Sequence, residues 1–110
     1  MISVEFVISD NKILSFSVQG HSGLAPAPHD ILCASVSAMT ELTLNTLIEV
    51  FGAEIDLEID EEKPLISAWD ISSPEENERA VQGVLKGFYM QLSDLRETYS
   101  TNLSVKTKKI

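Results

Sequence analysis

One cysteine and two histidines are the residues of this chain best suited to covalent catalysis. Cys33 is the only thiol, and His21 lies one short loop before it in the sequence. A thiolate can attack a carbonyl carbon while an imidazole takes up and returns the proton, so such a pair would carry out acyl transfer. His29 is a second candidate base, although neighbouring prolines favour a solvated loop residue there. Free cysteines are also often buried as small hydrophobes, so packing remains the alternative role for Cys33.

The segment around Cys33 indicates how its sulfur could become reactive. Residues 31–51 predict one long helix that ends at Gly52, and Asp30 is placed to cap its first turn. Cys33 would then lie at the third helical position, where the helix dipole stabilises a thiolate over a thiol. The free amides there could also hydrogen-bond an oxyanion on the attacked carbonyl. Ser37 follows one turn later, so its hydroxyl could reach the sulfur or the substrate, or it could simply permit close packing.

Alternating apolar and polar residues before and after this helix predict strands. Residues 2–19 predict a hairpin that turns at Asp10-Asn11, since both residues tolerate left-handed backbone angles. Residues 54–60 and 65–71 predict a second pair of strands. Two sets of side chains are expected to face the core: Leu14, Phe16 and Val18 in the first hairpin, and Ile55, Leu57 and Ile59 in the second.

The C-terminal part of the chain predicts a second helix and a last short strand. Ser73 should cap this helix, with Pro74 at its first position and Glu76 completing a capping box. Its buried stripe is expected to comprise Val81, Val84, Leu85, Phe88, Leu92, Leu95 and Tyr99. The last strand begins at residues 103–105. The order β-β-α-β-β-α-β predicts one α+β domain over residues 1–110, with a mixed or antiparallel sheet covered by two helices.

Composition and charge exclude several classes of function. The 110 residues include 17 acidic and 8 basic side chains, giving a formal net charge of −9. This balance argues against nucleic-acid binding and favours a basic partner. A single cysteine excludes internal disulfides and Cys-rich zinc sites, and we expect no metal or organic cofactor. Without an apolar run near the ~20 residues of a membrane span, and without a secretory signal, the expected location is the cytoplasm, with no membrane contact.

Two sequence elements together resemble the signature of the ribosomal-processing cysteine proteases, the Prp family. They are Gly20-His21-Ser22 and residues 30–38, Asp-Ile-Leu-Cys-Ala-Ser-Val-Ser-Ala. The resemblance implies an endopeptidase with a Cys-His dyad, in which Cys33 is the nucleophile, His21 the base, and Asp30 and Ser37 supporting residues. It further implies a homodimer that removes an N-terminal extension from large-subunit ribosomal protein twenty-seven.

Two positions depart from that signature. Leu32 replaces a commoner valine, which is a conservative change. Pro28 stands where the family usually carries glycine, and because proline fixes φ and lacks an amide donor, we expect altered motion of the loop and altered substrate seating. Two other functions stay open: a non-catalytic acidic dimeric module that binds ribosomal proteins, and a redox-sensing thiol.

Overall fold

A five-stranded sheet and two helices make up the fold in the computed structural model, which describes residues 1–26 and 29–110. The strands are β1 (Ile2–Ser9), β2 (Lys12–Gln19), β3 (Glu54–Asp60), β4 (Leu65–Ser72) and β5 (Leu103–Lys109). The helices are α1 (Ile31–Asn45) and α2 (Glu78–Thr98). The predicted α+β fold and element order are confirmed. Pro28, whose effect on the loop the sequence raised, lies outside the described residues.

The sheet is mixed, with the order β3-β4-β2-β1-β5. Strands β1 and β5 pair in parallel, whereas the other neighbours are antiparallel. Both helices cover the face that carries Ile2, Val4 and Phe6 of β1, and the buried apolar side chains form one cluster. The long connections through the helices therefore place the last strand beside the first, while the β3–β4 hairpin occupies the opposite side of the sheet.

The first hairpin turns where predicted, at Asp10 and Asn11, whose φ values of 49° and 64° are left-handed. Its register shifts between Val7 and Ile8. Val7 pairs with Ser15 and Ile8 with Ile13, so Leu14 of β2 has no partner and forms a bulge. Consequently Ile13 is buried and Leu14, which the sequence placed in the core, lies at the surface with 36% exposure.

Helix α2 covers the centre of the sheet through aromatic packing. The rings of Phe6, Phe16, Phe88 and Tyr89 contact one another with centroids 5.2–6.0 Å apart and mostly edge-to-face geometry. The predicted apolar stripe of α2 is confirmed, because every member is buried or half-buried against the core.

The predicted start of α2 is wrong. Pro74 has an extended ψ of 142°, a 3-10 turn follows at Glu75–Asn77, and the helix begins only at Glu78. Neither the 3-10 turn nor α2 has a side-chain cap, so Ser73 does not cap this helix. Asn77 precedes the helix, and its side chain instead donates to the carbonyl of Phe51 at 3.0 Å.

Helix α1 continues into a π-helical turn at Thr46–Val50, and the chain leaves it through Gly52, whose φ of 67° favours glycine. Together, Ile31–Val50 form a 20-residue helix that by length and composition alone could cross a membrane, which the sequence analysis did not anticipate. Core helices satisfy the same criterion. In this fold Leu32, Val36 and Leu47 of the helix are buried in the apolar cluster.

The β3–β4 side of the sheet is more open than predicted. Leu57 and Ile59 point to the face that the helices cover elsewhere, yet they are 38% and 61% exposed. The prediction that β3 buries all three apolar side chains is therefore wrong, and Ile55 is only half-buried. The reason is topological: β3 is an edge strand, whereas α2 packs over β2 and β5. We call Leu57 and Ile59 the open face.

Candidate active site

A cleft of about 680 Å³ lies between the first turns of α1 and the ends of β2, β3 and β4. All four predicted site residues line it: His21, Asp30, Cys33 and Ser37. The loop after β2 therefore brings the start of α1 back beside the end of that strand, as the sequence permitted. His29, the alternative base, is exposed and lies outside the lining residues of the described chain.

Asp30 caps α1 as predicted. Its Oδ1 accepts a hydrogen bond from the amide of Cys33 at 2.9 Å, and its Oδ2 accepts one from the hydroxyl of Ser22. These donors, the Cys33 amide first, lower the pKa of Asp30 from its ordinary 3.8 to about 2. The buried carboxylate is thus charged at neutral pH and fixes the helix start.

The sulfur of Cys33 is held at this helix start as a half-buried free thiol. Its Sγ accepts a hydrogen bond from the amide of Ser22 at 3.3 Å. This bond directs a backbone amide from outside the helix at the sulfur. The amide of Cys33 itself is taken by Asp30, so it is not among the free donors that the helix start was expected to offer an oxyanion.

Ser22 connects the site to the rest of the fold, although the sequence analysis assigned it no role. Only 2% of the residue is exposed. Its hydroxyl donates to Asp30 and accepts from the amide of Leu24, while its carbonyl accepts from Nδ2 of Asn102 at 2.8 Å. The position of Ser22 directly after His21 could have indicated that it belongs to the site. No sequence pattern could have indicated Asn102, since it lies 80 residues from Ser22.

Gly20, at the end of β2, allows the segment that contains Ser22 to lie close to the backbone at the start of β1. Its φ is 93°, and a Cβ atom there would lie 2.4 Å from the backbone oxygen of Met1. Both the backbone angle and the close contact therefore require glycine. The next residue, His21, is exposed and lines the cleft.

The far part of the cleft is acidic. Glu41 continues the line of Cys33 and Ser37 along α1 at four-residue spacing, a periodicity from which it could have been predicted. The end of β3 contributes Asp60 from the opposite wall, and the turn that follows contributes Glu61. With Asp30 these make four acids, and the lining residues of the described chain include no lysine or arginine. Within residues 1–26 and 29–110, no group of three or more candidate ligands is placed to hold a metal ion.

The chain is similar to known proteins over most of its length. The profile of the family described as cysteine protease Prp matches residues 1–104. The ribosomal processing cysteine protease Prp of Bacillus subtilis is 31% identical over 100 residues, which span 89% of this chain and 88% of that protein.

Solved structures share the fold over its full extent. An essential ribosomal processing protease Prp from Staphylococcus aureus, in complex with a covalently linked product peptide, matches 98% of this chain and 100% of its own, with a TM-score of 0.86 and 26% identity. SMU.848 from Streptococcus mutans has a TM-score of 0.87 over 100% of this chain and 96% of its own; at 22% identity, it supports the fold alone. On the family profile and the Bacillus relative, this chain belongs to the cysteine protease Prp family.

Proposed function

We propose that this cysteine protease removes the N-terminal extension of large-subunit ribosomal protein twenty-seven, with Cys33 as nucleophile and His21 as base. The observation that carries the proposal is the sulfur of Cys33 at a helix start, bonded to the Ser22 amide, in the cleft that His21 also lines. The names of the relatives, ribosomal processing cysteine proteases, support the substrate class. The peptide-bound Staphylococcus aureus structures support peptide cleavage.

The reaction follows from the properties of the two groups. The thiol proton of Cys33 passes to His21, and the sulfur then forms a bond to the scissile carbonyl carbon. When the tetrahedral intermediate collapses, the C–N bond breaks and His21 returns the proton to the leaving amine. Water, deprotonated by His21, hydrolyses the resulting thioester and regenerates the thiol.

The start of α1 provides the electrostatic environment for these steps. The amides of Ile31 and Leu32 precede Ala34, whose amide makes the first intrahelical bond, to the carbonyl of Asp30. Donors of this kind stabilise an oxyanion, and removing one from other enzymes costs about 3 kcal/mol. Asp30 supports the reaction by holding the helix start, and Ser37 by presenting a hydroxyl to the substrate beside the sulfur.

The acidic cleft suits a basic substrate. Asp30, Glu41, Asp60 and Glu61 create a negative potential that attracts lysine and arginine side chains and speeds their encounter with the cleft. Ribosomal proteins that bind RNA carry such side chains. We place the reaction in the cytoplasm, where a single free thiol stays reduced.

The open face supports a homodimer. Leu57 and Ile59 form an apolar edge on a strand whose outer side has no neighbour within the described sheet, a feature that marks an interaction surface. An Ile59→Asp variant should shift the protein to monomer in analytical ultracentrifugation, with Met90→Asp, at an exposed α2 position, as the matched control. A wild-type protein that sediments as a monomer at all concentrations would contradict the dimer.

A processing assay tests the proposed function. The wild-type protein should shorten a peptide that begins with the precursor extension, as seen by mass spectrometry, whereas Cys33→Ala and His21→Ala should not. The rate at which iodoacetamide alkylates Cys33 should rise well below pH 8 and should change in His21→Ala.

The same measurements separate the alternatives. A binding module would hold the peptide without cleaving it, and its thiol would react slowly. A redox sensor would show a reactive thiol and no processing, and reversible oxidation would alter binding of the precursor.

A further inference from the structure

The loop before β5 reaches the candidate active site through one side chain. Nδ2 of Asn102 donates to the carbonyl of Ser22 at 2.8 Å, across 80 residues of sequence. Ser22 is the residue whose amide donates to the sulfur of Cys33 at 3.3 Å. Asn102 does not line the cleft in the described chain, so any effect it has on the reaction must pass through Ser22.

Both ends of Asn102 are fixed, so it can act as a rigid support. Its backbone amide donates to the backbone carbonyl of Tyr99 at 2.9 Å. Its backbone carbonyl accepts from the backbone amide of Ile2 at 2.9 Å. The hydroxyl of Thr101 lies 3.0 Å from Oδ1 of Asn102 and donates to it. This last contact orients the side-chain amide so that Nδ2, rather than the oxygen, faces the carbonyl of Ser22.

The Ser22 carbonyl needs such a donor because the segment has a left-handed residue on each side. The φ values of Gly20 and Gly23 are 93° and 69°. Hydrogen bonds from within a strand or helix do not hold a segment of this kind, so contacts from other elements must set its position. Asp30 holds the hydroxyl of Ser22, and Asn102 holds its carbonyl.

We propose that Asn102 is a positioning residue of this protease, which holds the Ser22 peptide so that its amide points at the sulfur of Cys33. The inference rests on the proposed role of Cys33 as nucleophile. A small displacement of the donor would weaken its bond to the thiolate without altering the surface on which the peptide binds. The effect should therefore fall on kcat rather than on KM.

A pair of variants tests this role. Asn102→Leu removes the donor while keeping size and neutrality. Asn77→Leu removes the same kind of bond, from Nδ2 to the carbonyl of Phe51 at 3.0 Å, at a site outside the cleft. The charged and titratable groups that line the cleft are the same in both: His21, Asp30, Glu41, Asp60 and Glu61.

We expect Asn102→Leu to lower kcat on the precursor peptide by about 10-fold with little change in KM. It should also move the midpoint of the pH dependence of Cys33 alkylation upward, because the sulfur loses a well-placed hydrogen-bond donor. Asn77→Leu should lower the melting temperature and leave both readouts at wild-type values. Equal effects of the two variants on the alkylation profile would show that Asn102 is only structural.

Thr101→Val supplies a second variant, because this exposed residue can lose its hydroxyl without harm to folding. It should change kcat and the alkylation midpoint in the same direction as Asn102→Leu, but less. Failure of this inference is distinguishable from failure of the proposed function. An active wild-type enzyme with unchanged Asn102→Leu and Thr101→Val variants overturns the inference alone, whereas a wild-type protein without processing activity overturns the function.

Discussion

The two sides of the sheet are packed very differently. Under α2, the aromatic side chains of Phe6, Phe16 and Phe88 contact one another and exclude water. Beside α1 and the β3–β4 hairpin, the sheet opens into the acidic cleft and the open face. On the packed side, apolar burial supplies most of the free energy of folding. On the open side, hydrogen bonds to single polar groups set the local geometry.

This difference indicates how the fold combines stability with reactivity. A thiolate needs donors and access to substrate, which a dense apolar core cannot provide. The open side supplies both, because the Gly20–Gly23 segment directs the Ser22 amide at the sulfur and the cleft gives access to it. The packed side then holds the strands from which these segments leave. Variants on the two sides should therefore separate activity from stability.

Replacement of the nucleophile should give the largest effect, confined to activity. Cys33→Ala should lower kcat/KM on the precursor peptide by at least ~10³-fold, because no other thiol is present. Since the sulfur is only half-buried, the urea midpoint should change little. A Ser35→Ala variant on the exposed face of α1 serves as the control for both assays. Full activity of Cys33→Ala would remove the proposed mechanism.

Truncation under α2 should instead lower stability. Phe6 is 0% exposed and contacts three aromatic rings, so Phe6→Ala should reduce the free energy of unfolding by about 3–5 kcal/mol. Met90→Ala, at a 64% exposed position on α2, should stay within about 0.5 kcal/mol of wild type. Urea denaturation measures both. Similar losses for the two variants would contradict the packing contrast.

The acidic cleft predicts a salt effect of intermediate size. For a substrate peptide with basic residues, kcat/KM should fall several-fold as salt rises from ~0.05 to ~0.3 M, because screening weakens attraction at these distances. Glu41→Gln with Asp60→Asn should flatten the dependence, and Glu97→Gln, which lies outside the cleft, should not. A rate independent of salt would exclude electrostatic steering.

The cap of α1 predicts a stability that falls in acid. Because folding lowers the pKa of Asp30 from 3.8 to about 2, its stabilisation is complete above about pH 4 and is lost as pH falls through about 2. Asparagine also caps helices but carries no charge, so Asp30→Asn should melt below the wild-type temperature at pH 7 and should lose less stability between pH 4 and 2. Glu41→Gln, an acid in the same cleft that caps no helix, is the control. Parallel melting curves for Asp30→Asn and wild type over that range would contradict the assignment.

Local patterns in the sequence predicted most of the elements. The hairpin turn at Asp10 and Asn11, the cap at Asp30 and the apolar stripe of α2 each depend on residues close together in sequence. These features were enough to predict the fold class. The paired motif around His21 and Cys33 supplied the predicted site residues, and all of them line one cleft.

The predictions that failed depend on how the elements pair and pack, and on the exact backbone conformation where they begin. The exposure of Ile59 follows from the position of β3 at the sheet edge, which alternation cannot reveal. Leu14 left the core because one bulge changed the register, and Ser73 was misassigned because Pro74 stays extended. Asn102 could not be found because its partner is 80 residues away.

The bond between Asn102 and Ser22 also sets an order of events during synthesis of the chain. Cys33 leaves the ribosome early, whereas Asn102 and the strand that pairs in parallel with β1 emerge much later. Contacts so distant in sequence form late in folding, after the intervening elements have assembled. The sulfur of a nascent chain therefore lacks this support until the sheet is complete, which ties the appearance of a competent nucleophile to completion of the fold.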